Sequence, residues 1–166
     1  KTGEIIHNTE DMNFYQKQER RILHNCGVIN PESVEDYLEQ DGFRAIQKAL
    51  QEMTPVKVIQ EIQNSGLRGR GGGGFPTGIK WEIASKQEGN EKYIVCNADE
   101  GDPGAFMDRS ILEGDPYGVI EGMMIAGYAI GANHALIYIR AEYPLAISRL
   151  QKAIEQARKK GYLGKH

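Results

Sequence analysis

The chain is poor in cysteine and has no excess of basic residues, two features that mark large classes of protein. It contains only two cysteines among 166 residues, Cys26 and Cys96, and their separation matches no metal-ligand spacing. Two isolated cysteines in a chain of this size are typical of reduced intracellular thiols, with a disulfide as the alternative. The formal net charge is −3, so the chain lacks the basic excess that favours binding to nucleic acid.

Long hydrophobic runs are also missing. The longest apolar stretch, residues 123–132, is interrupted by Gly127 and Gly131 and is too short to span a bilayer. Residues 1–10 are predominantly polar, so no secretory signal is predicted there. We therefore expect a cytoplasmic protein with no direct membrane insertion.

What remains is the composition of an ordinary globular domain, 40% hydrophobic and 26% charged. Asn30 and Pro31 predict the start of a short helix, as its cap and first residue. Apolar periodicity predicts later helices and strands, with Leu50 and Leu145 facing inward. The helices are expected at residues 43–53, 54–65, 79–85, 116–131 and 144–160. The strands are expected at residues 93–96 and 135–139, and the first strand is expected to be buried. The order strand, helix, strand, helix predicts an α/β fold with a parallel βαβ unit.

Residues 1–30 differ from the rest of the chain because they are polar, mixed in charge and only weakly periodic. We predict that they form an extended N-terminal arm that packs on something else, while residues 31–166 form the α/β domain. The candidate anchors of the arm are its larger apolar side chains, Phe14, Tyr15, Ile22 and Leu23.

A glycine-rich segment, residues 65–80, reads Ser-Gly-Leu-Arg-Gly-Arg-Gly-Gly-Gly-Gly-Phe-Pro-Thr-Gly-Ile-Lys. Its four consecutive glycines give up side-chain contacts and lose the most conformational entropy on folding. Bare backbone with flanking cations suits a phosphorylated ligand at the start of the next helix. A dinucleotide fingerprint is disfavoured because the preceding segment is helical, and a Walker A loop because no Ser or Thr follows Lys80. A flexible linker is the structural alternative, but Arg68, Arg70 and Phe75 are unusual in linkers.

An acidic segment, residues 97–106, follows directly on the first predicted strand and reads Asn-Ala-Asp-Glu-Gly-Asp-Pro-Gly-Ala-Phe. Ligands of α/β sheets bind beyond the carboxyl ends of strands, so this is an expected place for ligand contacts. Carboxylates here would accept hydrogen bonds from the hydroxyl groups of a ribose or ribityl chain. The structural alternative is a turn shaped by its Asp and Gly residues, with Asp108 capping the helix that follows.

Read together, residues 65–81 and 97–104 resemble the NADH-binding flavoprotein subunit of respiratory complex I and its relatives in soluble NAD(P)-linked hydrogenases and formate dehydrogenases. The resemblance extends from about Pro31 to the end, and residues 120–123, 126–129 and 138–143 strengthen it. It implies the Rossmann-like α/β core of an FMN-binding domain.

The resemblance also implies cofactors and site residues. FMN would exchange a hydride with NAD(H) or NADP(H) and pass single electrons to iron–sulfur clusters in a later part of the polypeptide or in partner subunits. Glu100 would tune the flavin and the nicotinamide. The implied contacts are Gly69, Arg70, Gly71 and Lys80 around FMN, Asn97, Asp99, Glu100 and Asp102 along the flavin and its ribityl chain, and Gly72, Gly73 and Phe75 toward the dinucleotide.

Two positions, Ile83 and Asp102, depart from the complex I pattern. The Gly-Asp-Pro-Gly version at residues 101–104, together with the upstream segment 14–27, resembles the hydrogenase-linked branch, which includes electron-bifurcating enzymes. The implied partners are a thioredoxin-like iron–sulfur subunit and a hydrogenase or dehydrogenase subunit. The later half of the site, a ubiquitin-like domain and an iron–sulfur domain are expected outside these 166 residues, so we expect this chain to be inactive alone. The alternatives are a non-catalytic assembly fragment of such a complex and a phosphate-binding nucleotide module.

Overall fold

A computed structural model describes residues 11–89 and 91–164, which form eight helices and two strands. The elements are α1 Asn13–Gln16, α2 Val34–Glu39, α3 Arg44–Glu52, α4 Pro55–Asn64, α5 Thr77–Ser85, β1 Tyr93–Ala98, α6 Met107–Gly114, α7 Pro116–Ile130, β2 His134–Ile139 and α8 Pro144–Lys159. None of the helices in this part of the chain is both long and apolar enough to cross a membrane.

The two strands form a parallel pair, as predicted. Their register runs from Tyr93 opposite His134 to Ala98 opposite Ile139, so both carboxyl ends lie at one edge of the sheet. Helices α6 and α7 connect β1 to β2, and α7 packs against both strands. The predicted α/β class and its βαβ unit are therefore confirmed.

One face of this sheet is open, and the prediction that the first strand is buried is wrong. Four apolar side chains on β1 and β2 are about half exposed or more, because the helices of the described residues cover only the opposite face. They are Tyr93, Val95, Leu136 and Tyr138. The apolar run at the start of β1 gave no sign of this alternation.

Helix α7 is the central element of the core. It begins at Pro116, where the carboxylate of Asp115 accepts a hydrogen bond from the Gly118 N–H at 2.9 Å. It ends at Ile130 and is followed by Gly131, whose φ of +76° is the left-handed conformation that glycine adopts without strain. Helices α3, α4, α5, α6 and α8 all pack against α7. The completely buried ring of Tyr117 lies at its start.

Aromatic rings join α7 to the N-terminal helices. Tyr37 stacks on Tyr117 with ring centroids 5.4 Å apart and meets the edge of Phe43 at 5.2 Å. Phe43 in turn stacks on Tyr162, beyond α8, at 4.0 Å. Such pairs contribute about 0.5–1.5 kcal/mol each beyond the apolar area they bury.

Several predicted details are wrong for identifiable local reasons. The cap of α2 is Ser33, whose hydroxyl accepts from the Asp36 N–H, while Asn30 closes a turn by accepting from the Glu32 N–H. Leu145 is exposed because Ala146, Leu150, Ala153 and Ala157 form the inward face of α8. Leu50 is likewise exposed, and α5 begins at Thr77 rather than Ile79.

Residues 11–30 contain the short helix α1 and a series of turns, while residues 1–10 of the predicted arm lie outside the described residues. Two of the predicted anchors, Phe14 and Ile22, are exposed. Contact with the domain is made instead by Ile29, which is buried, and by Asn25, whose amide donates to the Asp115 carboxylate at 2.8 Å. The division of the chain at residue 30 stays a prediction.

The two cysteines are free thiols in the structure. Burial, reinforced by the Asp115 charge, raises the pKa of Cys26, and burial with the Asp108 charge raises that of Cys96. Both are therefore protonated at neutral pH and poorly nucleophilic.

Candidate functional site

The glycine-rich segment forms a loop whose ends are joined by backbone hydrogen bonds. Arg68 and Pro76 form an isolated antiparallel bridge, in which the Gly69 N–H donates to the Phe75 carbonyl at 2.9 Å. One residue further out, the Thr77 N–H donates to the Leu67 carbonyl, also at 2.9 Å. Residues 69–75, which we call the glycine loop, are thus an ordered closed loop between α4 and α5 rather than a linker.

The four consecutive glycines of this loop fall into two kinds. Gly72 and Gly74 have φ values of +97° and +59°, so their conformation itself favours glycine. Gly71 and Gly73 have no such conformation, and a Cβ built on either would meet no atom within 4 Å. Nothing in the described chain therefore requires glycine at residues 71 and 73.

The cations around the loop have different surroundings. The guanidinium of Arg68 donates to the Gly74 carbonyl at 2.9 Å, so it holds the loop together. Arg70 and Lys80 are exposed and take part in none of the ion pairs formed among residues 11–89 and 91–164. An open groove of about 530 Å³ is lined by residues 65–70 and Gly74, so it includes Arg70 but not Lys80. The two cations remain available for an anion.

The position of α5 is set by a glycine that sequence reasoning missed. A Cβ on Gly78 would lie 2.7 Å from the Gln63 backbone nitrogen, so only glycine permits α5 to approach α4 this closely. Gln63 also donates through its side chain to Glu82 at 2.7 Å. The resulting contact fixes the first turn of α5, and with it Lys80, against the base of the loop. No signal in a single sequence distinguishes Gly78 from a turn glycine.

The acidic segment begins where β1 ends, at the carboxyl edge of the sheet, as predicted. The Asn97 side-chain oxygen accepts from the Asp99 N–H at 3.1 Å, and the Asp99 carboxylate lies 3.6 Å from the Arg140 guanidinium. Asn97, Asp99 and Asp102 are all exposed. Their oxygens are accessible to a ligand with donor groups.

Glu100 has a structural role that the sequence analysis did not anticipate. Its carboxylate accepts from the N–H groups of Met107, Asp108 and Arg109 at 3.0, 3.1 and 3.3 Å. It therefore caps α6, in place of Asp108, which lies inside the first turn. Burial and then the Glu100 charge raise the pKa of Asp108. The tuning role predicted for Glu100 stays a prediction.

Two residues of the next strand end also contact this segment. Arg140 and Tyr143 follow β2, and both donate to the main-chain oxygen of Glu100, at 3.1 and 2.7 Å. Neither was among the predicted site residues, although both stand in the segment 138–143 that supports the family resemblance. Their position after a parallel strand was the available signal, because the carboxyl ends of paired parallel strands meet at one edge.

No ion pair or side-chain hydrogen bond in the described parts of the chain joins the glycine loop to the acidic segment. Both are positioned through α7 instead, because α5, which follows the loop, and β1, which precedes the acidic segment, pack on that helix. The structure thus contains two separately braced half-sites, one with free cations and bare backbone and one with exposed oxygens.

Comparison with known proteins gives a consistent result. Residues 62–164 match the protein family described as the Nuo51 FMN-binding domain. The chain is 58% identical over 151 residues to the HndC subunit of the NADP-reducing hydrogenase of Solidesulfovibrio fructosivorans, covering 91% of this chain and 30% of the relative. It is 49% identical over 143 residues to a subunit of the NADH-quinone oxidoreductase of Rhizobium meliloti, covering 86% of this chain and 34% of the relative.

Solved structures agree with the sequence comparison. An NAD⁺-reducing [NiFe]-hydrogenase in its air-oxidized state matches with a TM-score of 0.67 and 34% identity, over 86% of this chain and 23% of the other. The same kind of enzyme in its H₂-reduced state matches with a TM-score of 0.61 and 41% identity, over 66% of this chain and 19% of the other. The chain thus spans about a third of the length of the curated relatives above.

Proposed function

Because the chain belongs to the Nuo51 FMN-binding domain family, we propose that it supplies part of an FMN site in an NAD(P)H-linked oxidoreductase subunit. The glycine loop and Lys80 hold the phosphate end of the flavin nucleotide, and the acidic segment holds its polyol chain. The whole enzyme's activity needs a polypeptide of the relatives' length, of which this chain spans about a third, so we expect these 166 residues to be inactive alone.

The observation that carries this proposal is the pair Gly71 and Gly73. Glycine costs stability relative to alanine wherever its conformation is ordinary. Neither backbone conformation nor crowding within the described chain accounts for glycine at these positions. A flat or anionic group that approaches the backbone from outside does account for it, and two uncommitted cations nearby suit an anionic one.

Each remaining predicted contact has a place in this scheme. Arg70 and Lys80 face the phosphate, while Asn97, Asp99 and Asp102 accept hydrogen bonds from ribityl or ribose hydroxyls. Phe75, which is 53% exposed, offers an aromatic surface for an adenine ring. Gly72 leaves room for a nicotinamide over the loop, and Gly69 shapes the base of the loop through its bond to Phe75.

The chemistry that bound FMN supplies is hydride exchange with a nicotinamide and release of electrons one at a time. The residues of this chain bind and orient the rings and exclude water from between them. Glu100, held at the start of α6, would place a negative charge near the flavin and so influence its potential. No side chain here is required as a proton donor.

The relatives point to the kind of complex involved. The similarity to a hydrogenase subunit supports the hydrogenase-linked branch and its iron–sulfur partner subunits over the membrane-linked complex. That branch includes electron-bifurcating enzymes. We place the protein in the cytoplasm, with NAD(H) or NADP(H) as its substrate. The two alternatives are an assembly fragment and a plain nucleotide-binding module. No observation on the described residues favours either of them over an FMN site.

The experiment is to substitute Gly71 with alanine in the full-length protein and measure bound FMN by its absorbance after gel filtration. We expect the Gly71→Ala protein to lose most of its flavin. With FMN removed from both proteins, its melting temperature should equal or slightly exceed that of the wild type, because the fold has room for the methyl group. The matched control is Gly122→Ala, an exposed position on α7 that also has no neighbour within 4 Å. It should retain flavin because, unlike Gly71 beside Arg70, it stands between Glu121 and Met123 with no cation next to it. Full flavin content in Gly71→Ala, or a flavin-free wild type, would contradict the proposal.

A further inference from the structure

The main-chain oxygen of Glu100 receives two hydrogen bonds from side chains beyond β2. Arg140 Nη1 lies 3.1 Å from it and the Tyr143 hydroxyl 2.7 Å. A carbonyl oxygen has two lone pairs, so these donors fill its capacity. A Cβ at residue 101 would also lie 3.6 Å from the Arg140 guanidinium, which therefore packs directly against the segment.

The side chain of Glu100 is held as well as its main chain. The Glu100 carboxylate is engaged by the first turn of α6, so main chain and side chain are fixed by different elements. Asp99, immediately before it, has its carboxylate 3.6 Å from Arg140. The backbone and charge of residues 99–101 are thus set by the β2–α8 connection as well as by their own neighbours.

Arg140 and Tyr143 also support each other. The guanidinium of Arg140 lies 5.9 Å from the centre of the Tyr143 ring, and that of Arg109 lies 5.5 Å from the same ring. Cations near an aromatic ring are favourable and lower the freedom of the side chains involved. The Tyr143 N–H donates to the Arg140 carbonyl at 3.2 Å, which closes the connection into a turn before α8.

We propose that Arg140 and Tyr143 are positioning residues that hold the Glu100 carbonyl and the Asp99 carboxylate in the geometry in which the acidic segment binds the flavin's polyol chain. This rests on the proposed FMN site, and it goes further by assigning a function to two side chains outside the glycine loop and the acidic segment. They act through the segment and need not touch the ligand.

The test uses the full-length protein with Tyr143→Phe, Arg140→Lys and the double variant. Tyr143→Phe removes only the hydroxyl, and Arg140→Lys keeps the charge beside Asp99 but loses the planar donor group. We expect FMN to bind roughly fivefold more weakly in each single variant, the effect of one net hydrogen bond. The double variant should fall short of the product of the two effects, because both donors act on one oxygen. Visible circular dichroism of the FMN-saturated variants should change, since that signal reports how the flavin is held.

The controls are Tyr138→Phe, on the exposed sheet face, and Arg44→Lys, on the surface of α3, and both should match the wild type. A flavin-free wild type overturns the proposed function and this inference with it. A flavin-bound wild type whose Tyr143→Phe and Arg140→Lys variants keep its affinity and dichroism overturns this inference alone. Equal losses in the Tyr138→Phe and Arg44→Lys controls also overturn it.

Discussion

Lys80 shows how much a single side chain depends on its backbone setting. It lies in the first turn of α5, directly after the clasped base of the glycine loop, and its side chain is exposed. The contact of Gly78 with α4 prevents that turn from moving away from the loop. Lys80 therefore stands in the first turn of a helix whose start is fixed next to the loop, and the start of a helix is a usual place for a bound phosphate.

Replacing Lys80 with alanine should weaken FMN binding about 10- to 100-fold, the loss expected for one charge-assisted hydrogen bond. The measurement is flavin absorbance of the full-length protein after gel filtration, followed by titration of the apoprotein with FMN. Lys48→Ala is a suitable control because Lys48 is an exposed lysine on α3, away from the loop. Yellow Lys80→Ala protein with wild-type affinity would refute the phosphate assignment.

Among elements, α7 and α3 are joined by a buried carboxylate. Glu121 is 7% exposed, and its oxygens accept from the Phe43 N–H at 2.8 Å, the Ile46 N–H at 3.1 Å and the Tyr37 hydroxyl. Phe43 has a φ of +61°, a strained value for an aromatic residue. The carboxylate therefore serves as the cap that Phe43 does not provide, and it offsets the cost of that backbone conformation.

Glu121→Gln should lower the free energy of unfolding by about 1–3 kcal/mol, because the amide leaves one of these buried donors without an acceptor. Urea denaturation of the intact protein measures this loss. Glu155→Gln, at an exposed helix pair with Lys159, should leave the stability close to that of the wild type, because exposed ion pairs contribute little. If the two variants were equally stable, the capping role of Glu121 would be wrong.

The helices and strands also show what a sequence reveals and what it hides. Pro116, Pro144 and Gly131 mark element ends through constraints local to the chain, and the predicted helices there agree with α7 and α8 to within one residue. The cap supplied by Glu121 comes from a residue more than 70 positions away in sequence, so no local pattern reveals it. Glu100 precedes the start of α6 by seven residues, outside the usual capping position, so its cap was not recognised either. Gly78 is not recognisable from a local pattern either. It must be glycine because a Cβ there would collide with Gln63 on another helix.

At the scale of the whole molecule, the candidate site also has parts that the sequence predicts and parts that only the structure shows. The glycine loop and acidic segment were predictable because their composition conflicts with ordinary folding. The bracing of the acidic segment by Arg140 and Tyr143 depends on the strand register, which places the end of β2 beside the end of β1 through the pairing of Ala98 with Ile139. The family resemblance is confirmed, whereas the roles of the individual site residues stay predictions.

Because of its buried tyrosines, the stability of the fold depends on pH in the alkaline range. Burial, with the charges of Glu35 and Glu32, raises the pKa of Tyr117 to about 12 from an ordinary value of 10.0. A raised tyrosine pKa means that the unfolded chain loses its proton first as the pH rises, so this contribution to stability is complete below about pH 10 and is lost between about 10 and 12. Burial and the Glu121 hydrogen bond also raise the pKa of Tyr37, which adds to the effect.

We therefore expect the urea midpoint of the intact protein to fall steeply between about pH 10 and pH 12. Tyr117→Phe, which loses only the hydroxyl bond to Gln156, should be less stable at about pH 8 but should show a shallower alkaline fall. Tyr138→Phe, on the open sheet face, should keep the wild-type slope. Parallel curves for Tyr117→Phe and the wild type would show that this ring does not link folding to proton loss.

The open face of the sheet affects how such a segment behaves in solution. Among residues 11–89 and 91–164 the two-stranded sheet has an unpaired edge on each side, and its open face carries the apolar side chains of Tyr93, Val95, Leu136 and Tyr138. Unpaired edges act as templates for intermolecular strand addition when nothing covers them. At high concentration, molecules of this segment would add to one another edge to edge, and lower concentrations or a detergent would be needed to keep them apart.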